Sequence, residues 1–327
     1  MAKRSRVIIE NNNNKHRSRL VQSLTALTDD TLYTTDKPSG VWGSTATIKS
    51  GGVTLKSSEL DFEFDVPFDD DLEANEGEII VYNLSGNTIS QLKTNAEISI
   101  EAGYEGDTGL IYKGLIAKVS SAVEGADRVT TIKVIDKIPN NPTVIQSFSS
   151  GESTEKILTW LLKEASKAGL AIAKKSIQYS STCENDVSIE EPLTEAIKTY
   201  SEACGVSTFI NNGKVYSCML DEVDDVSEFL VRADTGMIGT PKEFEEEQIF
   251  EGTKQIIRGY EVDMLLQHRI SVGSKIQLMK KSLYGNTYGT EYLYVKSGSH
   301  RFNETECVTS FKAIRMPARG GYVGGKG

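Results

Sequence analysis

The feature that most constrains this chain is a change in hydrophobic period, from two residues to about 3.6 and back to two. Apolar and polar residues alternate in residues 53–140 and 226–316, and such alternation is typical of half-buried strands. The region between them carries apolar residues at helical spacing. The pattern predicts a mainly β protein with an α+β insert, in which two β-barrel domains flank a small helix-helix-hairpin domain.

The first β block opens with a strand of strict alternation at residues 59–68. Its apolar side chains share one face, and four acidic side chains share the other: Glu59, Asp61, Glu63 and Asp65. Ser85 is placed to cap a short helix, and residues 96–104 alternate again before a loop that contains Gly106 and Gly109. Further strands are expected at residues 78–84, 110–119 and 129–135. Sheets of this kind curl into a barrel or a sandwich.

The insert has the start and stop signals of two helices and a hairpin. Ser153 is a plausible N-cap for the first helix, and Gly169 is placed to end it. Pro192 suits the first turn of a second helix, which Gly205 ends. The segment Asn211-Asn212-Gly213 then predicts a tight hairpin turn between two short strands.

After an acidic linker the strand pattern returns in five segments, at residues 229–232, 260–266, 274–278, 292–295 and 308–314. Gly273 and Asn286 sit at expected turns between them. We therefore divide the chain into an N-terminal arm and lead-in (residues 1–52), a first barrel (53–140), the insert (141–225), a second barrel (226–316) and a flexible glycine-rich tail (317–327).

Charge is distributed unevenly around a net value of −10. Residues 1–20 carry six basic side chains and one acidic one, whereas residues 57–92 carry ten acids and no base. An acidic protein lacks the Lys/Arg footprint that supplies most nucleic-acid affinity, so sequence-specific nucleic-acid binding is not expected. The acidic runs allow two interpretations: solvated strand faces that keep the protein soluble, or the lining of a channel that must not retain DNA.

The sequence argues against a signal peptide, a membrane span, disulfide bonds and a cysteine metal site. The basic start lacks the apolar region of a signal peptide, and no stretch is apolar over the length that spans a bilayer, so we expect no membrane insertion. The four cysteines form no Cys-x-x-Cys pair and have no histidine at metal-ligand spacing, so we interpret them as free thiols in a reducing cytoplasm.

A catalytic centre is also hard to assemble from these residues. None of the three histidines (His16, His268 and His300) has a partner at a metalloprotease-like spacing. Asp69-Asp70-Asp71 lacks the glycine and later glutamate of a calcium loop, and no Lys-Ser/Thr pair follows the glycines near Gly106 to make a phosphate cradle. We therefore predict no enzyme activity, no cofactor and no metal site.

The order of the β blocks, the insert and their turn motifs resembles that of the baseplate hub proteins of contractile-tailed phages and of phage-derived contractile particles. The resemblance covers roughly residues 53–316 and is carried by short turn and strand motifs. Its segments are Ile80-Val81-Tyr82-Asn83-Leu84-Ser85, Ala102-Gly103-Tyr104-Glu105-Gly106, Leu110-Ile111-Tyr112-Lys113-Gly114, residues 209–216, Thr235-Gly236-Met237-Ile238-Gly239-Thr240-Pro241-Lys242, Leu265-Leu266, and residues 270–278 with Gly273. Two departures stand out: Gln267-His268-Arg269-Ile270, where such hubs often have Asn-Pro, and a long acidic stretch at residues 243–251.

The resemblance implies a homotrimer in which each subunit supplies two tail-tube-like β-barrels, so that three chains make a pseudo-six-fold ring joining the tail tube to the central spike. It also implies contacts with tube, spike, baseplate wedge and tape measure proteins, within a virion or phage-tail-like particle assembled in the bacterial cytoplasm. The acidic face of Glu59, Asp61, Glu63 and Asp65 is then the candidate channel-facing or tube-facing surface.

Two alternatives stay open. In the first, the relatives of this chain are tail-tip hubs of non-contractile phages. In the second, the chain is a cell-wall-degrading or carbohydrate-binding tail protein. The chain has 46 acidic residues, so their number alone does not exclude a pair of carboxylates placed for glycoside hydrolysis. Trp42 and Trp160 are interpreted as packing residues in preference to sugar platforms.

Overall fold

The computed structural model describes residues 43–136, 141–211, 213–223, 226–250, 253–281 and 288–316. Several predicted features lie outside these residues: the arm at residues 1–42 with His16 and Trp42, Pro139 and Asn140 of the predicted boundary, Asn212 in the hairpin turn, Asn286, and the tail at residues 317–327. The described part is mainly β, as predicted. None of its helices combines the length and apolarity needed to cross a bilayer.

The first block contains seven strands and one short helix, α1 (Gly86–Gln91). Its strands are β1 (Ser44–Ser50), β2 (Val53–Lys56), β3 (Phe62–Phe68), β4 (Glu76–Tyr82), β5 (Glu97–Tyr104), β6 (Asp107–Glu124) and β7 (Asp127–Ile135). Alternation explains their burial, because every second side chain of a strand points to the same face. In β5, for example, Ile98, Ile100, Ala102 and Tyr104 are buried.

The insert consists of two helices and five short strands. These elements are β8 (Thr143–Phe148), α2 (Thr154–Lys167), β9 (Ala171–Lys175), β10 (Val187–Pro192), α3 (Leu193–Ala203), β11 (Ser207–Asn211) and β12 (Lys214–Cys218). β8 pairs with β10, and β12 pairs with both β11 and β9. The helices pack over their own core, separate from the cores of the β blocks.

The described residues of the third block form six strands. They are β13 (Glu228–Val231), β14 (Met237–Phe250), β15 (Thr253–Leu265), β16 (Lys275–Lys281), β17 (Tyr288–Phe302) and β18 (Cys307–Ile314). Together with the first block they make a single 13-stranded sheet, along the path β14-β15-β18-β17-β3-β4-β7-β6-β5-β1-β2, with β16 beside β17 and β13 beside β16. Each block nevertheless has a core of its own.

The helix signals in the insert are confirmed. The Ser153 hydroxyl accepts a hydrogen bond from the backbone N–H of Lys156 at 3.2 Å, which satisfies one of the free donors of the first turn of α2. Gly169 follows the end of α2 with φ at +101°, a left-handed conformation that favours glycine. Pro192 lies one residue before α3, and Gly205 lies just beyond its C-cap. The local signals therefore set the helix boundaries.

Three strand assignments need correction. Residues 44–50, predicted to be irregular lead-in, form β1, because Ala46, Ile48 and Ser50 pack inward although they include small and polar types. β3 begins at Phe62, not at residue 59: Glu59 and Leu60 lie in a turn, and both of their N–H groups donate to the Lys56 carbonyl oxygen.

The third correction concerns the acidic stretch, which forms β14. Its glutamates do not favour strands, but cations on other strands of the same sheet pair with them. Glu245 lies 2.6 Å from Arg258, and Glu246 lies 2.9 Å from Lys296. These ion pairs offset the repulsion that a row of like charges creates.

Candidate functional site

The two β blocks meet along one strand pair. β3 of the first block runs antiparallel to the last third of β17, with Phe64 opposite Phe302 and Gly298 opposite Phe68. The rings of Phe64 and Phe302 stack with centroids 5.4 Å apart. Gly298 is needed here, because a Cβ would lie 2.4 Å from the Ser310 carbonyl oxygen. This pair joins eight neighbouring strands, β14-β15-β18-β17-β3-β4-β7-β6, into one run.

One side of this run faces away from the cores of the two β blocks, and we call it the polar face. At its β14–β15–β18 end, Phe244, Ile257 and Ile314 instead pack against an apolar cluster that contains Phe209 and Tyr216 of the insert. The side chains of the polar face alternate with the buried ones along every strand. It carries the charged residues Lys118, Lys133, Glu78, Glu63, Asp65, Arg301, Asp263, Glu261 and Lys312, together with Ser299 and Ser310. Acidic and basic side chains are therefore interleaved on the polar face.

Two of the four predicted surface acids lie on the polar face. Asp65 stands between Arg301 on β17 and Glu78 on β4, and Glu78 stands opposite Lys133 on β7. Partial burial raises the pKa of the Asp65 carboxyl, although a hydrogen bond from Ser299 and the charge of Arg301 oppose the shift. Arg301 therefore lies beside Asp65, and Lys133 lies beside Glu78. These two cations offset the repulsion between the adjacent carboxylates.

The other acids are positioned differently. Glu63 lies 3.4 Å from the hydroxyl of Tyr82. Glu59 lies in the turn before β3, where it pairs with Lys56 at 3.1 Å, and Asp61 is exposed just ahead of the strand. The structure therefore does not place all four carboxylates on one strand face.

A second contact between the blocks is built on the turn that joins β5 to β6. Asp107, at the start of β6, accepts a hydrogen bond from the Arg269 guanidinium, and its second oxygen lies 3.5 Å from the Gln267 amide. The Asp107 side chain is only 8% exposed, whereas the Arg269 side chain is 40% exposed, so the carboxylate is shielded from solvent and the guanidinium is not. We call these three residues with His268 the latch. In the sequence, this Gln-His-Arg segment stands out only as a departure from the family pattern.

Gly109 allows the latch to close. A Cβ on Gly109 would lie 2.7 Å from the His268 ring, closer than real contacts allow. Gly109 therefore lies within β6 against the histidine, not in the hairpin loop as predicted. The loop itself is Glu105-Gly106, because Tyr104 and Asp107 are paired. Burial lowers the pKa of His268, whose Nδ1 is buried without a hydrogen-bond partner.

His300 is buried behind the latch, on the core side of β17. Its Nδ1 lies 2.9 Å from the Thr309 hydroxyl, which accepts from the backbone N–H of Gln267 at 3.0 Å. The direction of the His300–Thr309 hydrogen bond depends on the imidazole tautomer. Complete burial lowers the pKa of His300 to about 3. The ring is a structural part of the seam between the blocks.

The loop at residues 69–75 connects the β blocks to the insert. Leu72 packs against the helical core, and Glu73 pairs with Lys198 of α3 at 2.8 Å. Asp70 lies 3.4 Å from the Ser207 hydroxyl, and burial raises its pKa to about 6 although Lys296 opposes the shift. The first block, the insert and the third block thus meet at this loop.

A groove of about 370 Å³ opens beside this loop. It is lined by residues from both blocks, among them Phe68, Asn75, Lys242, Asp263 and Ser297. Asp136 lies behind Asn75 and accepts hydrogen bonds from its backbone and side-chain N–H groups at 2.8 and 3.1 Å. Burial raises the pKa of Asp136 to about 6. Within the described ranges, no group of three or more His, Cys, Asp or Glu side chains is arranged to hold a metal ion.

A model of the baseplate hub gp41 family matches residues 77–293, well over half of the 327 residues. The chain belongs to the baseplate hub gp41 family. Its family segment starts within β4, contains the whole insert and ends within β17. The resemblance inferred from the sequence motifs is thereby confirmed. No curated protein matches the chain.

Solved structures share the fold of this baseplate hub family protein. A tail protein from Neisseria meningitidis MC58 superposes with a TM-score of 0.56 at 8% identity, over 84% of this chain and 97% of that one. The 43 kDa tail protein of prophage MuSo2 from Shewanella oneidensis gives 0.55 at 8%, over 83% and 98%. A type VI secretion system component from E. coli, described as structurally similar to the phage T4 tail proteins gp27 and gp5, gives 0.56 at 12%, over 83% and 77%.

The motif residues that suggested the family have structural roles. Asn83 adopts φ of +57° and bonds Asp127 at 2.9 Å, Leu84 is buried, and the Ser85 hydroxyl caps α1 by accepting from Thr88 N–H. The glycines at turns or tight contacts are Gly103, Gly106, Gly114, Gly236, Gly239 and Gly273. Pro241 lies beside Gly239 in an irregular part of the edge strand β14.

Three cysteines and one tryptophan of this baseplate hub family protein are used in packing. The four cysteines are free, and three of them are buried. Trp160 packs edge-on against Phe148, at 5.6 Å between centroids, inside the insert. Such contacts suit a structural component of a phage tail.

Proposed function

We propose that this chain is a baseplate hub subunit that forms a homotrimeric, pseudo-six-fold ring between the tail tube and the central spike of a contractile phage tail or phage-tail-like particle. The observation that carries the proposal is the run of eight strands across both β blocks. Each block supplies four of these strands and a core of its own, as two tail-tube-like barrels side by side require. The insert lies to one side and braces neighbouring proteins.

We further propose that the polar face lines the channel. Its interleaved charges give no continuous basic track, so passing DNA or a tape measure protein would not be held by phosphate neutralisation. Glu63 and Asp65 then lie in the channel wall, and Glu59 and Asp61 lie at one end of it. The tube and spike proteins contact the two rims of the ring, and the baseplate wedges contact the insert.

Light scattering of the purified full chain tests the ring, and electron microscopy of the chain mixed with its tube and spike proteins tests the position of that ring. We expect trimers and a collar between tube and spike. A stable monomer that releases peptidoglycan fragments would favour the cell-wall-degrading alternative and remove the hub proposal.

The channel assignment has its own test. In assembled particles, Asp65→Cys should react with a small thiol reagent and be protected from a reagent too large to enter the channel. An exposed insert position, Glu190→Cys, serves as the control that reacts with both. Equal labelling of the two positions by the large reagent would place the polar face on the outside.

A further inference from the structure

Residues 267–270, in the connection between β15 and β16, contact both β blocks. Towards the first block, Arg269 pairs with Asp107. Towards the third block, the backbone N–H of Gln267 donates a hydrogen bond to the Thr309 hydroxyl at 3.0 Å. One short segment therefore carries contacts to both blocks, and its displacement would break these contacts together.

His268 is enclosed in this segment without a full set of hydrogen-bond partners. Its side chain is 9% exposed, and its Nε2 lies 3.6 Å from Oδ1 of Asp107. Its Nδ1 is buried without a partner, and a Cβ on Gly109 would lie 2.7 Å from that nitrogen. A neutral imidazole has one N–H group, but an imidazolium has two, and the one at Nδ1 would be buried and unpaired. The closed latch therefore disfavours a proton on His268.

His300 lies behind the same segment and is also shielded from water. Its buried ring packs against Phe68, with centroids 5.1 Å apart. Its Nδ1 lies 2.9 Å from the Thr309 hydroxyl, and the backbone of Ile270 also hydrogen-bonds the ring. Burial of this kind penalises the charged form, so His300 gains a proton easily only when the segment moves away and admits water.

Among the described residues, the charged and titratable groups that act on the two rings are Asp107 on β6, Arg269 on the segment, and the two histidines themselves. Burial lowers the pKa of His268, and Arg269 adds to this shift although Asp107 opposes it. Burial, with a smaller effect of His268, lowers the pKa of His300 to about 3. A closed latch thus binds fewer protons than an open one, so its stability is lost as pH falls below about 6.5.

We propose that the latch is an acid-released contact between the two β blocks: below neutral pH, residues 267–270 move away from Asp107 and Thr309, and both histidines become protonated. The backbone pairing of β3 with β17 contains no titrating contact of this segment, so the blocks stay joined there and gain freedom to change their relative angle. All of these contacts lie within one chain, so the release does not depend on the proposed ring.

Hydrogen–deuterium exchange of the full chain, read by mass spectrometry and corrected for the intrinsic effect of pH on exchange, tests the release. The amides of Leu266, Gln267 and Ile270 are hydrogen-bonded in the closed latch. We expect their protection to fall by about tenfold or more between pH 7 and pH 5, because protonation of His300 alone shifts opening about 25-fold.

Helix α2 of the insert is the internal control and should keep its protection between the two pH values. Unchanged protection of the three latch amides overturns the proposal. An equal fall in α2 also overturns it, since that result shows global unfolding in place of a local release.

Variants assign the release to the two histidines. His268→Gln and His300→Gln each remove one titrating ring, and each should weaken the dependence of latch protection on pH. His16→Gln, which changes the remaining histidine, is the matched control and should leave it unchanged. Full pH dependence in both latch variants overturns the assignment.

A measurement on the unchanged chain keeps the test decisive if a variant does not fold. Exchange of the C2 hydrogen of each histidine, followed against pH, reports the pKa of each ring. We expect values below 6.5 for His268 and His300. Ordinary values for both rings overturn the proposal, because the closed latch would then have no preference for neutral histidines.

Discussion

The hydroxyl of Tyr104, in β5 of the first block, donates a 2.9 Å hydrogen bond to the backbone carbonyl oxygen of Cys307, in β18 of the third block. The two residues are 203 positions apart in sequence, and both are buried. The contact holds the glycine-rich turn of the first block against the start of the last strand, β18. It thus helps to fix the angle between the two blocks.

Tyr104→Phe removes only this hydroxyl. The Cys307 carbonyl oxygen keeps its hydrogen bond from Leu266 N–H, so we expect a loss of only about 1 kcal/mol of unfolding free energy. Urea denaturation measures the change. Tyr82→Phe, which alters a partly exposed hydroxyl 3.4 Å from Glu63, should cost less than about 0.5 kcal/mol. Equal effects of the two variants would argue against a special role for Tyr104.

Gly109→Ala should destabilise the seam between the blocks. The new Cβ would lie 2.7 Å from the His268 ring, so the latch must shift, at a cost of about 1–3 kcal/mol. Thermal unfolding of the full chain checks the cost. Gly52→Ala is the matched control, because a Cβ there meets nothing within 4 Å.

A suppressor makes this prediction specific. Adding His268→Ala to Gly109→Ala removes the ring that the Cβ meets, so the double variant should lose less than the sum of the single variants. Strict additivity would mean that Gly109 matters for a reason other than the histidine.

Asp70→Asn should stabilise the chain at neutral pH. Burial raises the pKa of Asp70 from 3.8 to about 6, so the folded state holds a proton that the unfolded state has released. Its contribution to stability therefore falls as pH rises from about 4 to about 6, and the neutral amide removes that loss. We expect a gain of about 1–2 kcal/mol at pH 7, reduced by the attraction of Lys296, and little gain at pH 4.

Urea denaturation at the two pH values checks this sign. Glu76→Gln, at an exposed position, removes the same charge and should change stability little at either pH. A loss of stability in Asp70→Asn at pH 7 would show that the Lys296 interaction outweighs the burial of the carboxylate.

His300 should make the chain sensitive to acid. Its pKa falls from 6.5 to about 3 on burial, so it stays neutral in the folded state while the unfolded state gains a proton. Stability is lost as pH falls below about 6.5, by about 2 kcal/mol at pH 5 from this residue alone. His268, whose pKa is also lowered, acts in the same direction.

His300→Gln separates this effect from general acid lability. The variant should be less stable at pH 7, because it leaves the Thr309 hydroxyl poorly paired, but its stability should fall less between pH 7 and pH 5. Denaturant midpoints at the two pH values give the slopes. Parallel profiles for the variant and the unchanged chain would contradict the prediction.

Much of the local structure was predictable, because its causes are local. The cap at Ser153, the glycines after both long helices and the alternation in β5 each depend on residues a few positions apart. The missed elements had ambiguous local signals. In β1, several inward-facing positions are serine or alanine, so the apolar alternation is weak. β14 is rich in glutamate, a residue type that is depleted in strands.

The amino-acid order alone determined the element types, the insert and the family, since periodicity, caps and turn glycines act within a few residues. Only the tertiary structure decided that β3 lies beside β17, that Asp107 meets Arg269 over a separation of 162 residues, and that the four acids do not share one face. Which strands pair depends on how well the edges and side chains of two distant segments fit together. The sequence of either segment alone contains little information about that fit.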